Sequence, residues 1–169
     1  GPGSPTEVLR LVALGVDVLD TDYTQSLSAN MYALTIAVDP SDVPEGGAFH
    51  GCTCFGLVSC LNAAPQTTVF LTAGGPVVTK VHVQDPSWEA DARPLKPGCG
   101  CYACTTHTRA YVYHLCNVHE MLAPTLLQVH NLYTYSMFFA AVRRAVAEGR
   151  LAEYTRWFHA AHGLSEPAA

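Results

Sequence analysis

Three cysteines fall within six residues in the run Cys99-Gly100-Cys101-Tyr102-Ala103-Cys104, and His130 follows 26 residues after the last of them. Three thiolates and an imidazole on a separate element form a donor set that surrounds one small cation tetrahedrally. The spacing therefore reads as a closed, structural Cys3His zinc site. For all three sulfurs to face one point the backbone must reverse inside the knuckle, and Gly98 and Gly100 supply the permissive dihedrals for that reversal. The competing reading is three reduced cysteines, or one disulfide with a spare thiol. An unfolded chain has no preformed site, so metal binding is expected to be coupled to the folding of residues 93–130.

At 169 residues the chain is long enough for one domain with its own core and too short for two. Seven cysteines is an odd number, which argues against a complete disulfide framework; with no export signal visible, a reducing compartment is expected. No apolar run reaches the length of a bilayer span. The net charge of −5 is uneven: residues 1–98 carry ten acids and four bases, residues 99–169 four acids and five bases. Proteins that bind nucleic acid on their own usually carry a basic excess, so any RNA contact here is local or shared with a partner.

Ser4-Pro5-Thr6-Glu7 is a capping box with proline at the first helical position; Val8, Leu11 and Val12 give the following helix an apolar side, and Gly15 suits its C′ position. Val16-Asp17-Val18-Leu19 reads as a short buried strand ending at Asp20. Over residues 31–39, Tyr32, Leu34, Ile36 and Val38 alternate onto one face of a second strand. Residues 39–66, rich in Pro, Gly and Ala, read as an irregular insertion. Residues 67–72 and 77–83 read as a β-hairpin turning at Gly74-Gly75. Residues 86–97 form a loop into the knuckle. From Thr106 onward the pattern is helical: one helix through Ala110, Leu115 and Val118, a break near Pro124, and a long helix carrying Leu126, Leu127, His130, Tyr133 or Thr134, Met137, Phe138, Ala141, Val142 and Ala145. Gly149 interrupts it, and a short terminal helix follows over 151–159. Three parts result: 1–38, the insertion 39–66, and 67–169 with the knuckle and the C-terminal helices.

The run from Cys99 to Leu115, with Arg109-Ala110-Tyr111 inside it, resembles the zinc motif of the tRNA-guanine transglycosylases, or queuine tRNA-ribosyltransferases. So does the run from Glu120 to Leu132, where His130-Asn131 stands at the family's histidine ligand. Arg93-Pro94-Leu95-Lys96-Pro97-Gly98 is similar to the approach to the knuckle, and Gly149-Arg150-Leu151 to the end of the long helix. Gly15 to Asp20 resembles the strand that carries the family's nucleophilic aspartate, with Ala33-Leu34-Thr35 following at the expected distance. The likeness covers about two thirds of the chain and lapses over residues 39–75. It implies an α/β fold: the C-terminal part of a (β/α)8 barrel with an inserted zinc-binding subdomain, reading as α+β when taken alone. Such barrels need about 250 residues, so the chain is expected to be the C-terminal piece of a longer protein.

The resemblance further implies one structural zinc ion on Cys99, Cys101, Cys104 and His130, and exchange of the wobble guanine of certain tRNAs for queuine or a precursor. Asp20 stands at the nucleophile position, at the C-terminal end of its strand. The catalytic type follows its aspartate with an arginine-bearing segment that grips tRNA, whereas residues 21–30 here hold no arginine or lysine. The family's second aspartate would lie upstream. These departures, with Tyr32 to Thr35 and the long insertion, resemble the eukaryotic accessory type, which pairs with a catalytic subunit. The expected partners are therefore that subunit in a heterodimer, or a second copy, with tRNA met through the complex. The fragment alone is expected to be inactive, and its location cytoplasmic or at the outer mitochondrial surface. Two other readings stay open: a divergent catalytic chain using Asp20, and a zinc-stabilised interaction module. No RNA-binding residue is assigned.

Several residues carry two readings. Asp17, Asp20 and Asp22 are a catalytic cluster or a solvated acidic loop. His50, Cys52, Cys54 and Cys60 hint at a second metal site, against which oxidation-prone loop thiols are the simpler state. Cys116 reads as packing, and His107, His114 and His119 as surface or capping groups. Tyr111, Tyr113, Tyr133 and Tyr135 form either an exposed aromatic surface or ordinary helix packing.

Overall fold

The computed structural model describes residues 3–19, 22–39 and 78–164. Asp20, the possible second metal cluster at His50, Cys52, Cys54 and Cys60, residues 40–66 of the expected insertion, and the first strand and turn of the expected hairpin lie outside the described residues. The described chain is mainly helical with one small sheet. In order it contains α1 (Pro5–Ala13), α2 (Asp22–Ala29), β1 (Tyr32–Leu34), β2 (Lys80–His82), a single 3-10 turn (Pro86–Trp88), α3 (Tyr102–Thr106), α4 (Arg109–Asn117), α5 (Leu122–Ala147) and α6 (Leu151–His162).

Helix α1 starts where its capping box predicts. The Ser4 hydroxyl accepts from the Glu7 N–H at 3.4 Å, and Glu7 pairs with Arg10 one turn on. Its buried stripe is Pro5, Val8 and Leu9, with Leu11 and Val12 only half-buried, so the helix is rotated from the expected face. It ends in a Schellman motif, with Gly15 at φ +89°, its N–H on Val12 O and the Val16 N–H on Leu11 O, both at 3.0 Å. That closure overturns the expected strand at Val16–Leu19. The segment has no regular structure and Val18 is 87% exposed, because the cap consumes the Val16 N–H and no described strand lies alongside. Helix α2, to which the sequence pattern assigned no helix, follows at once.

Strand β1 pairs antiparallel with β2 in the register Tyr32↔His82, Ala33↔Val81, Leu34↔Lys80. The ladder is shorter than the expected 31–39, yet the backbone beyond it remains buried through Val38. Its alternation holds: Ala33 joins one apolar cluster with Val81, Trp88, Leu95, Val112 and Leu127, while Leu34, Ile36 and Val38 join another with Val8, Leu9, Leu27, Phe138 and Phe158. Buried backbone polar groups need partners, and side chains of α5 and α6 provide them. Asn131 Oδ1 accepts from Leu34 N–H (2.7 Å), His162 Nε2 accepts from Ala37 N–H (3.0 Å), and the Tyr154 hydroxyl donates to Val38 O (2.9 Å). His162 holds its own Nδ1 against Phe158 O at 2.8 Å, and burial pushes its pKa down, which keeps the acceptor nitrogen free of a proton.

Helix α5 runs through both clusters: Leu126 and Leu127 lie in the first, Phe138, Ala141 and Val142 in the second. Thr134, not Tyr133, takes the buried position, and Met137 is half-exposed. Pro124 is the third residue of the helix, where a missing N–H is not called on, so it opens the helix and does not kink it. Gly149 at φ +68° closes α5, with the Arg150 N–H on Ala145 O at 2.8 Å, and α6 then runs to His162, three residues past the expected end. Among the described residues no helix is long and apolar enough to cross a membrane.

Phe138 is fully buried between α1, β1 and α6 and touches the rings of Tyr135 and Phe158. Phe138→Ala is expected to cost about 3–5 kcal/mol of unfolding free energy in a denaturant titration, with the knuckle's metal affinity unchanged.

Candidate metal centre

Local backbone chemistry assembles the knuckle. Gly98 takes φ +73°, a left-handed turn in which a side chain would be strained, and no atom lies near where its Cβ would sit. Gly100 serves a different purpose from the one its type suggested: its φ is ordinary, and a Cβ there would stand 3.0 Å from the Tyr133 hydroxyl. Cys101 is the N-cap of α3, and its sulfur accepts from the Cys104 N–H at 3.4 Å. The turn thus brings a backbone dipole to one of the sulfurs as it aims them.

The ligand atoms of Cys99, Cys101, Cys104 and His130 all lie within 4.8 Å of one another. His130 Nδ1 stands 3.7, 3.5 and 3.3 Å from the sulfurs of Cys99, Cys101 and Cys104. A tetrahedral zinc bonded at ~2.3 Å to sulfur and ~2.0 Å to nitrogen separates those atoms by about 3.5 Å, so the donor set fits such an ion. All four cysteines among the described residues are free thiols, which removes the disulfide reading for this group. Burial opposes a charge on His130, but the sulfurs of Cys101 and Cys99 outweigh it and raise the imidazole pKa to about 9. Hydrogen bonding from Cys101 drives the Cys99 thiol well below its ordinary value, and the same neighbour pushes Cys104 up. Binding one cation requires all three thiols deprotonated, so it would displace whatever protons they hold.

The second imidazole nitrogen is equally committed. His130 is fully buried, and its Nε2–H donates to Leu34 O at 2.9 Å, which leaves Nδ1 facing the sulfurs, where a bound cation would take the place of a proton. The adjacent Asn131 is also fully buried; besides accepting from Leu34 N–H, it donates through Nδ2 to Tyr32 O and Ser28 Oγ, both at 2.9 Å.

The approach to the knuckle is held by a residue that sequence reading left unassigned. Arg109 is 2% exposed, with its guanidinium 5.0 Å from the Trp88 ring centre. It donates to Pro94 O (2.9 Å), Leu95 O (3.2 Å) and Asp91 Oδ2 (2.9 Å). Burial works against ionisation of Asp91, but hydrogen bonds from Arg93 and Arg109 prevail and hold its pKa down at about 2.

The other sequence candidates separate cleanly. Asp17 is exposed, and Asp22 is exposed at the first residue of α2. Cys116 is buried with its thiol toward Met31 Sδ at 3.7 Å, as packing requires. His107, His114 and His119 stay out of the ligand set: His114 and His119 are exposed, and His107 caps α3. His107 stacks on Tyr111 (4.9 Å between ring centres, 16° between planes) and meets Tyr102 edge-on. Tyr135 departs from the exposed aromatic surface, for it is 2% exposed, packs on Phe138 and Phe139, and donates to Gly3 O.

The molecule is thus a small helical domain organised by a Cys3His centre that is tied into its core. The sequence profile of the queuine tRNA-ribosyltransferase family matches residues 1–164, and the chain belongs to that family. Among relatives, it is 37% identical over 154 residues to "Queuine tRNA-ribosyltransferase accessory subunit 2" of Anopheles gambiae, covering 90% of this chain and 29% of the relative. The protein of that name from Aedes aegypti is 34% identical over 151 residues, covering 89% and 29%. The "Queuine tRNA-ribosyltransferase" of Xanthomonas axonopodis pv. citri is 38% identical over 129 residues, covering 76% and 32%. The chain therefore spans about a third or less of the length of these relatives.

Two outcomes follow from this geometry. Stripping the metal with a strong chelator, or Cys101→Ser, should lower the melting temperature by on the order of 10 °C, as several kcal/mol of binding energy are lost; an unchanged melting curve after verified metal removal would contradict the coupling. Asp91→Asn leaves the buried Arg109 charge without its carboxylate and should cost about 3 kcal/mol at neutral pH. Because the folded pKa lies below the ordinary 3.8, the Asp91 contribution is complete above that value and disappears as pH falls toward 2. Acid titration should therefore close the gap between variant and wild type across that window.

Proposed function

We propose that this chain is the C-terminal, zinc-stabilised part of an accessory subunit of a queuine tRNA-ribosyltransferase. In this reading one structural zinc is held by Cys99, Cys101, Cys104 and His130. The subunit supports exchange of the wobble guanine of tRNA for queuine in the cytoplasm by pairing with a catalytic subunit and helping to position tRNA. Residues 3–39 and the C-terminal helices would form the last part of a (β/α)8 barrel.

The observation that carries the accessory reading is helix α2. It begins two residues after Asp20, at the place where the catalytic type grips tRNA with arginines, and it contains no basic residue. It is also a packed element: Thr24, Leu27 and Ser28 are buried. Phosphate contact without cations loses its largest electrostatic contribution, so this helix suits scaffolding better than RNA capture. Relatives named as accessory subunits, aligned over about nine-tenths of the chain, support the same reading.

The knuckle offers a docking face. Tyr102 is 60% and Tyr111 38% exposed, and both rings touch His107 on elements that the metal centre anchors. Rigid exposed aromatics are the side chains that most often dominate binding energy at interfaces. A divergent catalytic chain with Asp20 as nucleophile is the second reading, favoured by the 38% identity to the bacterial enzyme.

The test is base exchange by the intact protein with and without its partner. No exchange alone and exchange in the complex is the expected result; robust activity alone, abolished by Asp20→Asn, would establish the catalytic reading. Tyr111→Ala should weaken the heterodimer by about tenfold or more without lowering metal content, measured by sedimentation or calorimetry.

A further inference from the structure

Two consecutive residues of α5 take both backbone groups of a single strand residue. His130 donates to Leu34 O at 2.9 Å while Asn131 accepts from Leu34 N–H at 2.7 Å. The grip extends further through the Asn131 amide, whose two hydrogens go to Tyr32 O on β1 and to Ser28 Oγ on α2. Ser28 passes the connection on, its hydroxyl donating to Thr24 O at 2.8 Å. All but one member are buried: Leu34, His130 and Asn131 are fully buried, Thr24 is 1% and Ser28 3% exposed, and Tyr32 is half-buried.

The chemistry fixes the direction of each bond. Turning the Asn131 amide over would set a donor against the Leu34 N–H and an acceptor against Tyr32 O, so only one orientation satisfies the site. Likewise His130 can donate to Leu34 O and offer a lone pair to a cation held by the sulfurs only as the Nε2–H tautomer. One turn of helix thus faces the Cys3His centre on one side and the strand on the other.

We propose that Asn131 is a positioning residue that transmits occupancy of the Cys3His centre to strand β1 and helix α2. Metal held by His130 Nδ1 fixes this turn of α5 at the height where Asn131 reaches Leu34, Tyr32 and Ser28. Loss of the metal releases the imidazole, and the strand and α2 lose their edge partners together. The segment so controlled adjoins Asp20 in sequence, which makes the centre a regulator of order at that end of the domain. The inference rests on the zinc reading of the cysteine group.

Amide hydrogen exchange in the intact protein tests it, with metal content measured in the same samples. For the wild type, chelation should speed exchange at Leu34 and in the second half of α2 by about tenfold or more, the effect of losing one buried hydrogen-bond partner, while α6 amides keep their protection. Asn131→Ala should show the fast rates at Leu34 and α2 with metal still bound, an unaltered Co2+ spectrum, and no further change there on chelation. Ser28→Ala, a milder substitution, should loosen α2 and leave Leu34 protected. The proposal is overturned if chelation leaves Leu34 protected, if it speeds α6 equally, or if Asn131→Ala retains the full metal response at Leu34. A protein that takes up no metal refutes the zinc reading itself, and the metal assay separates that failure from an uncoupled clamp.

Discussion

The His130 imidazole has two nitrogens, and the fold depends on both being occupied at once. Nδ1 completes a group with three sulfurs, while Nε2–H is bonded to Leu34 O inside the protein. A fully buried imidazole with an unmet nitrogen would be costly, so neither contact can be given up cheaply. Through this one ring the knuckle, helix α5 and the buried strand are fixed relative to each other. Asn131 doubles the attachment, and Arg109 fixes the loop that delivers Cys99 by holding the carbonyls of Pro94 and Leu95.

That arrangement also answers how a strand with one described neighbour remains buried. β2 satisfies one edge of β1, and helix side chains act as partners beyond it: Asn131, His130, His162 and Tyr154 meet backbone groups from Tyr32 to Val38. Side chains placed this way stop the strand from presenting an open ladder to another chain. They also bind the two apolar clusters into one body, since β1 sends Ala33 into one and Leu34 into the other. The Tyr102–His107–Tyr111 rings lie beside this packed base.

Much of this was legible in the sequence where the determinant is local. Ser4 as a cap, Gly15 and Gly149 as helix ends, and the cysteine knuckle all announce themselves through neighbours a few residues away. The period of α5 correctly placed His130 inward. What escaped depends on contacts distant in sequence. Asn131 bonds Leu34 across 97 positions, and the resemblance that marks the His130-Asn131 pair says nothing of what the asparagine holds. Arg109 has a role only once Asp91 and two carbonyls are brought round it, 14 to 18 positions away. Val16–Leu19 has strand composition, but a strand exists only with a partner, and the α1 cap takes its first N–H. Helix α2 escaped for the opposite reason: Thr, Ser and Gln give it little apolar period, and its order comes from burial of Leu27 and the hydrogen bonds at Ser28.

The fold described above depends on the four donors converging on one ion. X-ray absorption at the zinc edge of the protein as isolated reads that directly. The predicted result is one zinc per chain with a first shell of three sulfurs at ~2.3 Å and one nitrogen at ~2.0 Å. A shell of oxygen and nitrogen with fewer sulfurs, or a stoichiometric disulfide within the knuckle, would contradict it.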